Sequence, residues 1–237
     1  MILCISTATN LCSVAIGQAQ APPLGIKELT DPHAHSTALA TMVEQLLHEL
    51  GIGMEQLNAV AINKGPGSYT GLRIGTSLAK GICYALGKPL LAVGCLETMA
   101  HGALQHHGPT WANWPTQPLL CPMVDARRME IYTALFDTQL HPIAPTMAKV
   151  VDNNAFAEQL ERGPVVFFGD GAAKCREALQ HPNAQFIEGI EPSAQYMLAP
   201  AHAALASGQT EDVAYFEPFY LKDFVAIKAK NKVLSGA

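Results

Sequence analysis

One order of elements runs through this chain twice, and it constrains the fold more than anything else in the sequence. Ile2–Ser6, Leu11–Gly17 and Gly25–Thr30 are short runs with strand patterning, the first two joined by the turn-forming Thr7-Ala8-Thr9-Asn10. Leu39, Met42, Val43, Leu46, Leu47 and Leu50 then recur at helical spacing. Ser36 or Thr37 can cap that helix and Gly51 can end it. Asn58–Asn63 reads as a buried strand, Thr70–Leu86 as a helix, Leu90–Val93 as a strand and Leu96–Leu104 as a helix. The order is βββαβαβα. His106–Pro118 reads as a connector carrying Trp111 and Trp114. The same order then follows: a hairpin of Leu119–Asp125 and Glu130–Phe136, a strand at Thr146–Val151, a helix at Asn154–Arg162, a strand at Val165–Phe168, a helix at Ala172–Gln180, a strand at Gln185–Glu188 and a long helix at Ser193–Ser207.

No residue-level repeat accompanies this order. Two successive βββαβαβα units nevertheless predict an α/β chain of two ribonuclease-H-like lobes, residues 1–105 and 106–207. Residues 208–237 form a C-terminal segment able to pack back on the first lobe, ending in the basic tail Lys228–Lys232. Hydrophobic residues at 49% suffice for a core in each lobe. The formal charge of −5 does not suit a protein that wraps nucleic acid unaided, although a local basic patch is compatible with it. The six cysteines are scattered and form no CxxC pair, as expected of buried free thiols in a reducing compartment. The N-terminus shows no basic leader and no membrane-length apolar run, so the expected location is the cytoplasm.

The densest signal is Asn63-Lys64-Gly65-Pro66-Gly67-Ser68-Tyr69-Thr70-Gly71-Leu72-Arg73-Ile74-Gly75, between a strand and a helix. Gly65, Gly67, Ser68, Tyr69 and Thr70 could cradle an anion at the helix start, or serve only as a turn with Ser68 or Thr70 as cap. Neither a Walker A loop nor GxGxxG is present. Gly71, Gly75, Ala79 and Cys83 form a ridge of small side chains that admits a close helix neighbour, either a partner's or the chain's own.

Metal and nucleophile chemistry are poorly supported. His33-x-His35 and His106-His107 lack a third ligand at a recognised spacing, so no metal is expected. No GxSxG elbow occurs and no catalytic residue is assigned. Asp125 before Arg127-Arg128, and Gly169-Asp170-Gly171, read as turns.

Together these segments resemble the TsaB (YeaZ) family. Gly65–Gly75 followed by Ala79-Lys80-Gly81 matches the family's hallmark almost residue for residue. Ile2–Thr7, Leu96-Glu97, Val124–Tyr132, Phe168–Ala172 and Tyr220-Leu221-Lys222 resemble weaker family positions. The resemblance implies a duplicated fold of the actin/Hsp70-like (ASKHA) superfamily. It implies a non-catalytic scaffold supporting the catalytic paralogue TsaD, with the ATPase TsaE, in making N6-threonylcarbamoyladenosine in tRNA. The chain would meet tRNA through that complex, form a homodimer when alone, and have no membrane role.

The family's dimer contact uses the first two helices. It would place Leu39, Met42, Val43, Leu46, Gly71, Arg73, Gly75, Ala79 and Cys83 at a partner interface. Ser6, Asp125, Gly169 and Gly171 would be remnants of a nucleotide cleft. Ser6 replaces an acidic residue that in actin-like ATPases helps hold the nucleotide's metal, and hard cations favour carboxylates. TsaD's metal-binding histidine motif is also missing. No cofactor of its own is therefore expected, and ATP or ADP would sit at the interface with partner subunits. The alternatives are a stand-alone ATPase or peptidase of the same fold, and a homodimeric partner-binding module.

Overall fold

The computed structural model describes residues 1–31 and 34–222; His33 and the tail Lys228–Lys232 lie outside the described residues. Two five-stranded sheets form the frame. The first contains β1 (Ile2–Ser6), β2 (Leu11–Gly17), β3 (Gly25–Thr30), β4 (Ala59–Asn63) and β5 (Leu90–Val93) in the order β3-β2-β1-β4-β5. The second contains β6 (Leu119–Asp125), β7 (Glu130–Phe136), β8 (Pro142–Val150), β9 (Val165–Phe168) and β10 (Ala184–Phe186) in the order β10-β9-β6-β7-β8. Read from the other edge, this order is the same. In both sheets the first two pairings are antiparallel and the later two parallel. The doubled element order is thus a doubled topology, and the chain is a duplicated α/β fold of the ribonuclease-H-like type.

The central strands are apolar on both faces because both faces are covered. Leu3, Ile5, Val14, Ile16, Val60 and Ile62 face α2 (Leu39–Leu50) and α3 (Tyr69–Leu86), whose Leu39, Val43, Leu46, Ala79 and Cys83 complete that core. Ile2, Cys4, Ala15, Ala59 and Ala61 face the other way, onto Ala194, Met197, Leu198 and Ala201. A short helix, α1 (Ala34–Thr37), precedes α2, and Gly51 ends α2 at φ 65°. The cap expected from Ser36 or Thr37 is absent, since Ala38 occupies the N-cap of α2.

Packing does not follow the lobe division at residue 105. α4 (Cys95–Trp111) lays Leu96, Met99, Ala100 and Ala103 on the second sheet, against Leu120, Val124, Val166 and Phe168. α6 (Leu198–Ala206), late in the chain, covers the first sheet instead. The two layers meet where Gly102 of α4 lies under the Tyr196 ring, 2.7 Å from the position a Cβ would take.

Several elements differ from their sequence reading, among them the long helix expected over Ser193–Ser207, which opens as the 3-10 turn Ala194–Met197 before α6. α4 extends into the expected connector as far as Trp111, because Trp111, 3% exposed, anchors its last turn in the core of the second sheet. β8 starts at Pro142, since an edge strand tolerates Pro142 and Pro145. α5 (Ala157–Arg162) starts late, because Phe156 sits at φ 64° with its ring 5.4 Å from that of Phe167. Around Cys175 the chain closes mainly in short i→i+3 bonds, forming a 3-10 turn over Ala173–Cys175 that buries Cys175 and Leu179. No helix among the described residues is long and apolar enough to cross a membrane.

Candidate functional site

The glycine-rich segment turns the end of β4 into α3 and binds it to the β1–β2 turn. Gly65 has φ 98°, and its N–H donates to Asn63 Oδ1 at 3.1 Å. The Ser68 N–H donates to the Ala8 carbonyl at 2.6 Å, and Ser68 Oγ accepts from the Gly71 N–H at 3.2 Å, capping α3. A Cβ on Gly67 would stand 2.1 Å from Ala8 O. Tyr69 begins the helix with its ring 4.9 Å from that of Tyr220, and Thr70 is exposed beside it. These contacts give the segment a structural role on its own chain.

The small-residue ridge behaves the same way. A Cβ on Gly71 would meet Thr7 O at 2.1 Å, and one on Gly75 would meet Thr7 Oγ1 at 2.3 Å. Ala79 and Cys83 lie in the first core, as do Leu39, Met42, Val43 and Leu46, each at most 7% exposed. The interface expected on these residues is therefore corrected: the apolar period marks the face each helix turns inward. Of that set, Arg73 alone is exposed, with its guanidinium carbon 5.5 Å from the Tyr69 ring centroid.

The opposite faces remain open. α2 presents Thr41, Glu44, Gln45 and His48, and α3 presents Ser77, Gly81 and Tyr84. Tyr84 is 86% exposed, and a Cβ on Gly81 would meet nothing within 4 Å. The same helical period, read for its polar complement, would have located this surface.

The expected cleft residues divide into two groups. Ser6 is fully buried; its hydroxyl donates to Pro192 O at 2.5 Å and accepts from Asn63 Nδ2 at 3.1 Å, tying β1 to the chain before α6. Asp125, Gly169 and Gly171 do come together. The Asp125 N–H donates to Asp170 Oδ1 at 2.9 Å, and the Asp125 carboxylate pairs with Lys174 and accepts the Arg127 N–H at 2.7 Å. Gly169, at φ 104°, leaves no room for a Cβ beside Met99 and Met123 O. A Cβ on Gly171 would lie 3.1 Å from Asp125 N. Partial burial works against ionisation of Asp125, but Lys174 and the Arg127 N–H outweigh it and hold its carboxyl below the usual range.

The neighbouring carboxyls shift the other way. Desolvation in the cleft pushes Asp170 up, and desolvation together with the Asp170 and Glu28 charges pushes Glu191 up. A cavity of about 140 Å³ beside them is lined by Asp170, Glu188, Glu191, Arg176 and Phe186. Ligand pockets usually run from about 300 to 1,000 Å³. This hollow is smaller than that range, and three carboxylates line it beside Arg176.

Sequence reasoning missed a groove of about 1,000 Å³ between the second sheet and residues 211–220, walled by Leu96, Phe136, Leu140, Pro145 and Phe219. The segment that closes it is bound to the first lobe: Glu211 N–H donates to Leu90 O and Phe219 N–H to Lys64 O, both at 2.8 Å. Its signal, Tyr215-Phe216 and Phe219-Tyr220 in a stretch without helical or strand period, was present but had no local partner. The histidines are absorbed locally: His35 packs on Gly71, His106 Nε2 lies 2.6 Å from the Tyr196 hydroxyl, and His107 stacks on Trp111. Among the described residues no cluster of three or more His, Cys, Asp or Glu is disposed to hold a metal. All six cysteines are free and buried.

Comparison with known proteins agrees with this architecture. A family model described as TsaD, tRNA N6-adenosine threonylcarbamoyltransferase, matches residues 14–230. The chain is 31% identical over 233 residues to the tRNA threonylcarbamoyladenosine biosynthesis protein TsaB of Escherichia coli K12, covering 96% of each chain. It is 30% identical over 195 residues to the TsaB of Bacillus subtilis, covering 79% of this chain and 80% of that one. Among solved structures, YeaZ from Pseudomonas aeruginosa superposes with a TM-score of 0.75 at 26% identity, over 93% of this chain and 99% of that one. With its doubled sheet, its Gly65–Gly75 turn seated on Thr7 and Ala8, and these relatives along nearly its whole length, the chain belongs to the TsaB (YeaZ) family, within the wider group described by the TsaD model.

Proposed function

We propose that this chain is a non-catalytic scaffold subunit in tRNA threonylcarbamoyladenosine biosynthesis, binding and supporting the catalytic subunit TsaD alongside the ATPase TsaE. The observation that carries the reading is the outward face of α3, where open Gly81 lies one turn from Tyr84 at 86% exposure. A large aromatic left in water beside a flat, small-residue patch is what a protein interface uses as an anchor. Glu44 and His48 are exposed on α2, which packs on the same face of the first sheet as α3. Homodimerisation in the absence of TsaD would use this face too. Catalysis by the chain alone lacks support, because Ser6 is spent on Pro192 and Asn63. Any ATP or ADP in the assembly is placed between subunits, where a partner supplies what the acidic cleft lacks.

The test is size-exclusion chromatography with light scattering on the chain alone and mixed with its cognate TsaD, followed by reconstituted tRNA modification with TsaE. A heteromeric complex that Gly81→Arg abolishes, with activity lost when the chain is omitted, is the expected result. Modification at an undiminished rate without this chain would refute the scaffold role.

A further inference from the structure

The hairpin between β6 and β7 is built at a cost that its own stability does not explain. Three residues, Arg127-Arg128-Met129, form the turn, closed by the Ala126 N–H to Glu130 O at 3.1 Å and the Glu130 N–H to Arg127 O at 3.2 Å. Arg127 has φ 71° and Arg128 φ 52°. Both lie in the left-handed region that glycine and asparagine enter most readily, and two consecutive arginines there are unfavourable. Strain of this kind persists where the side chains serve something beyond the fold.

The charges around the turn leave those arginines without a direct ion pair, although the Arg127 charge still acts on the Asp125 carboxylate. Asp125 is paired with Lys174, and Glu130 with Lys222. The two nearest carboxylates are therefore neutralised by lysines. Arg127 and Arg128 are exposed and make no ion pair among the described residues. Lys222 also brings the C-terminal segment to the turn. Two residues before it, within roughly 7 Å along the chain, the Tyr220 ring lies 4.9 Å from that of Tyr69, tilted by 40°, and Tyr69 carries Arg73 over its ring at 5.5 Å. Burial raises the Tyr220 hydroxyl pKa, and the Glu217 charge acts in the same direction. The surface thus joins exposed guanidinium groups to an aromatic pair on a chain whose net charge is −5.

We infer that the β6–β7 turn, with the Tyr69–Tyr220 pair beside it, is a contact surface for the phosphate backbone and unpaired bases of tRNA. Guanidinium forks bind phosphate oxygens in two-point fashion, and tyrosine faces accept stacked bases. On the Asp125 side the hollow is about 140 Å³ and lined by Asp170, Glu188 and Glu191, which opposes a polyphosphate there. Tyr220 also lines the groove of about 1,000 Å³, so competition by ATP is the arm of the test that separates a free nucleotide from RNA. The identity of the RNA rests on the proposed role in tRNA modification; the polyanion contact itself rests on the turn.

The test measures binding of a fluorescent tRNA transcript by anisotropy, from about 50 to 200 mM salt. It uses the full chain alone and its complex with TsaD, comparing wild type with Arg127→Gly/Arg128→Gly. The glycine pair should keep or raise the melting temperature, weaken binding on the order of tenfold and reduce the slope of log K against log salt by about 2. Arg127→Lys/Arg128→Lys should retain the slope, and Arg162→Ala, remote and paired with Glu158, should change nothing. Should the glycine pair fold poorly, Arg127→Asn/Arg128→Asn repeats the measurement, since asparagine also enters the left-handed region. An unchanged slope and affinity in the variants would overturn the inference. So would displacement of the tRNA by ATP, which would place a nucleotide on the arginines instead. Absence of a TsaD complex would refute the scaffold role, while the measurement on the chain alone would still decide this one.

Discussion

Gly75 lies so close over Thr7 that a Cβ on it would stand 2.3 Å from Thr7 Oγ1 and 3.1 Å from Ile62 Cδ1. Four residues earlier, Gly71 bears on the Thr7 carbonyl in the same way. The family's hallmark glycines thus let α3 rest directly on the β1–β2 turn. This seating exposes the other side of α3, so the internal contact and the proposed partner face are two consequences of one helix orientation.

Gly75→Leu should therefore destabilise the isolated chain. Overpacking typically costs about 1–3 kcal/mol, and here the obstacle includes the side chain of a fully buried threonine. Gly81→Ala should do the reverse, stabilising by up to about 1 kcal/mol through helix propensity alone, because nothing opposes its Cβ. Chemical denaturation of the two variants checks this pair. Equal effects would mean that α3 does not sit as described.

Ser6→Ala should cost about 1–3 kcal/mol, because it strips partners from the buried Pro192 carbonyl and the Asn63 amide. A loss confined to the contact between β1 and the segment before α6 should appear first in hydrogen exchange around residues 192–198. The substitution should leave TsaD binding unchanged, which a pull-down reads directly.

His35 provides a pH dependence. It is 7% exposed; burial lowers its pKa below the ordinary histidine value, a bond with the Thr9 backbone offsets only part of this, and Nε2 has no partner among the described residues. The unfolded chain then binds the proton more readily than the folded one. Stability is full above the unfolded value near pH 6.5 and declines as pH falls below it, at up to about 1.4 kcal/mol per unit for one proton. His35→Gln should flatten part of the decline between about pH 6.5 and pH 5. His101 and His202, also shifted down by burial, should account for a remainder. An unaltered pH profile in the variant would rule out His35 as a contributor.

The cysteines should be inert in the native chain. Burial pushes the Cys95 and Cys121 thiols up to about 12 and those of Cys12 and Cys83 up to about 11. Thiolate is the reactive form, so a disulfide reagent at pH 8 should label none of the six until the chain is unfolded. Rapid labelling of one thiol in the native state would show a local opening at that residue.

Much of the frame was legible in the residues. The run Ile2-Leu3-Cys4-Ile5 announces a strand covered on both faces, and it is fully buried. The repeated βββαβαβα order became two sheets of identical topology, and Ser68 caps α3 from within the glycine-rich segment. All of these follow from local geometry: a period of 2 or 3.6, a cap, a left-handed turn.

Tertiary structure alone decided what each face meets. The ridge of Gly71 and Gly75 could equally have received a partner's helix, and only the position of Thr7 shows that it packs inward. α4 and α6 have apolar faces in the sequence, but their sheets were set by long-range fit, which placed α4 on the second and α6 on the first. Asp125 and Asp170 stand 45 positions apart in sequence and meet at 2.9 Å only because β6 and β9 pair in parallel. Periodicity records which side of an element avoids water; what covers that side depends on residues far along the chain, whose positions no local pattern encodes.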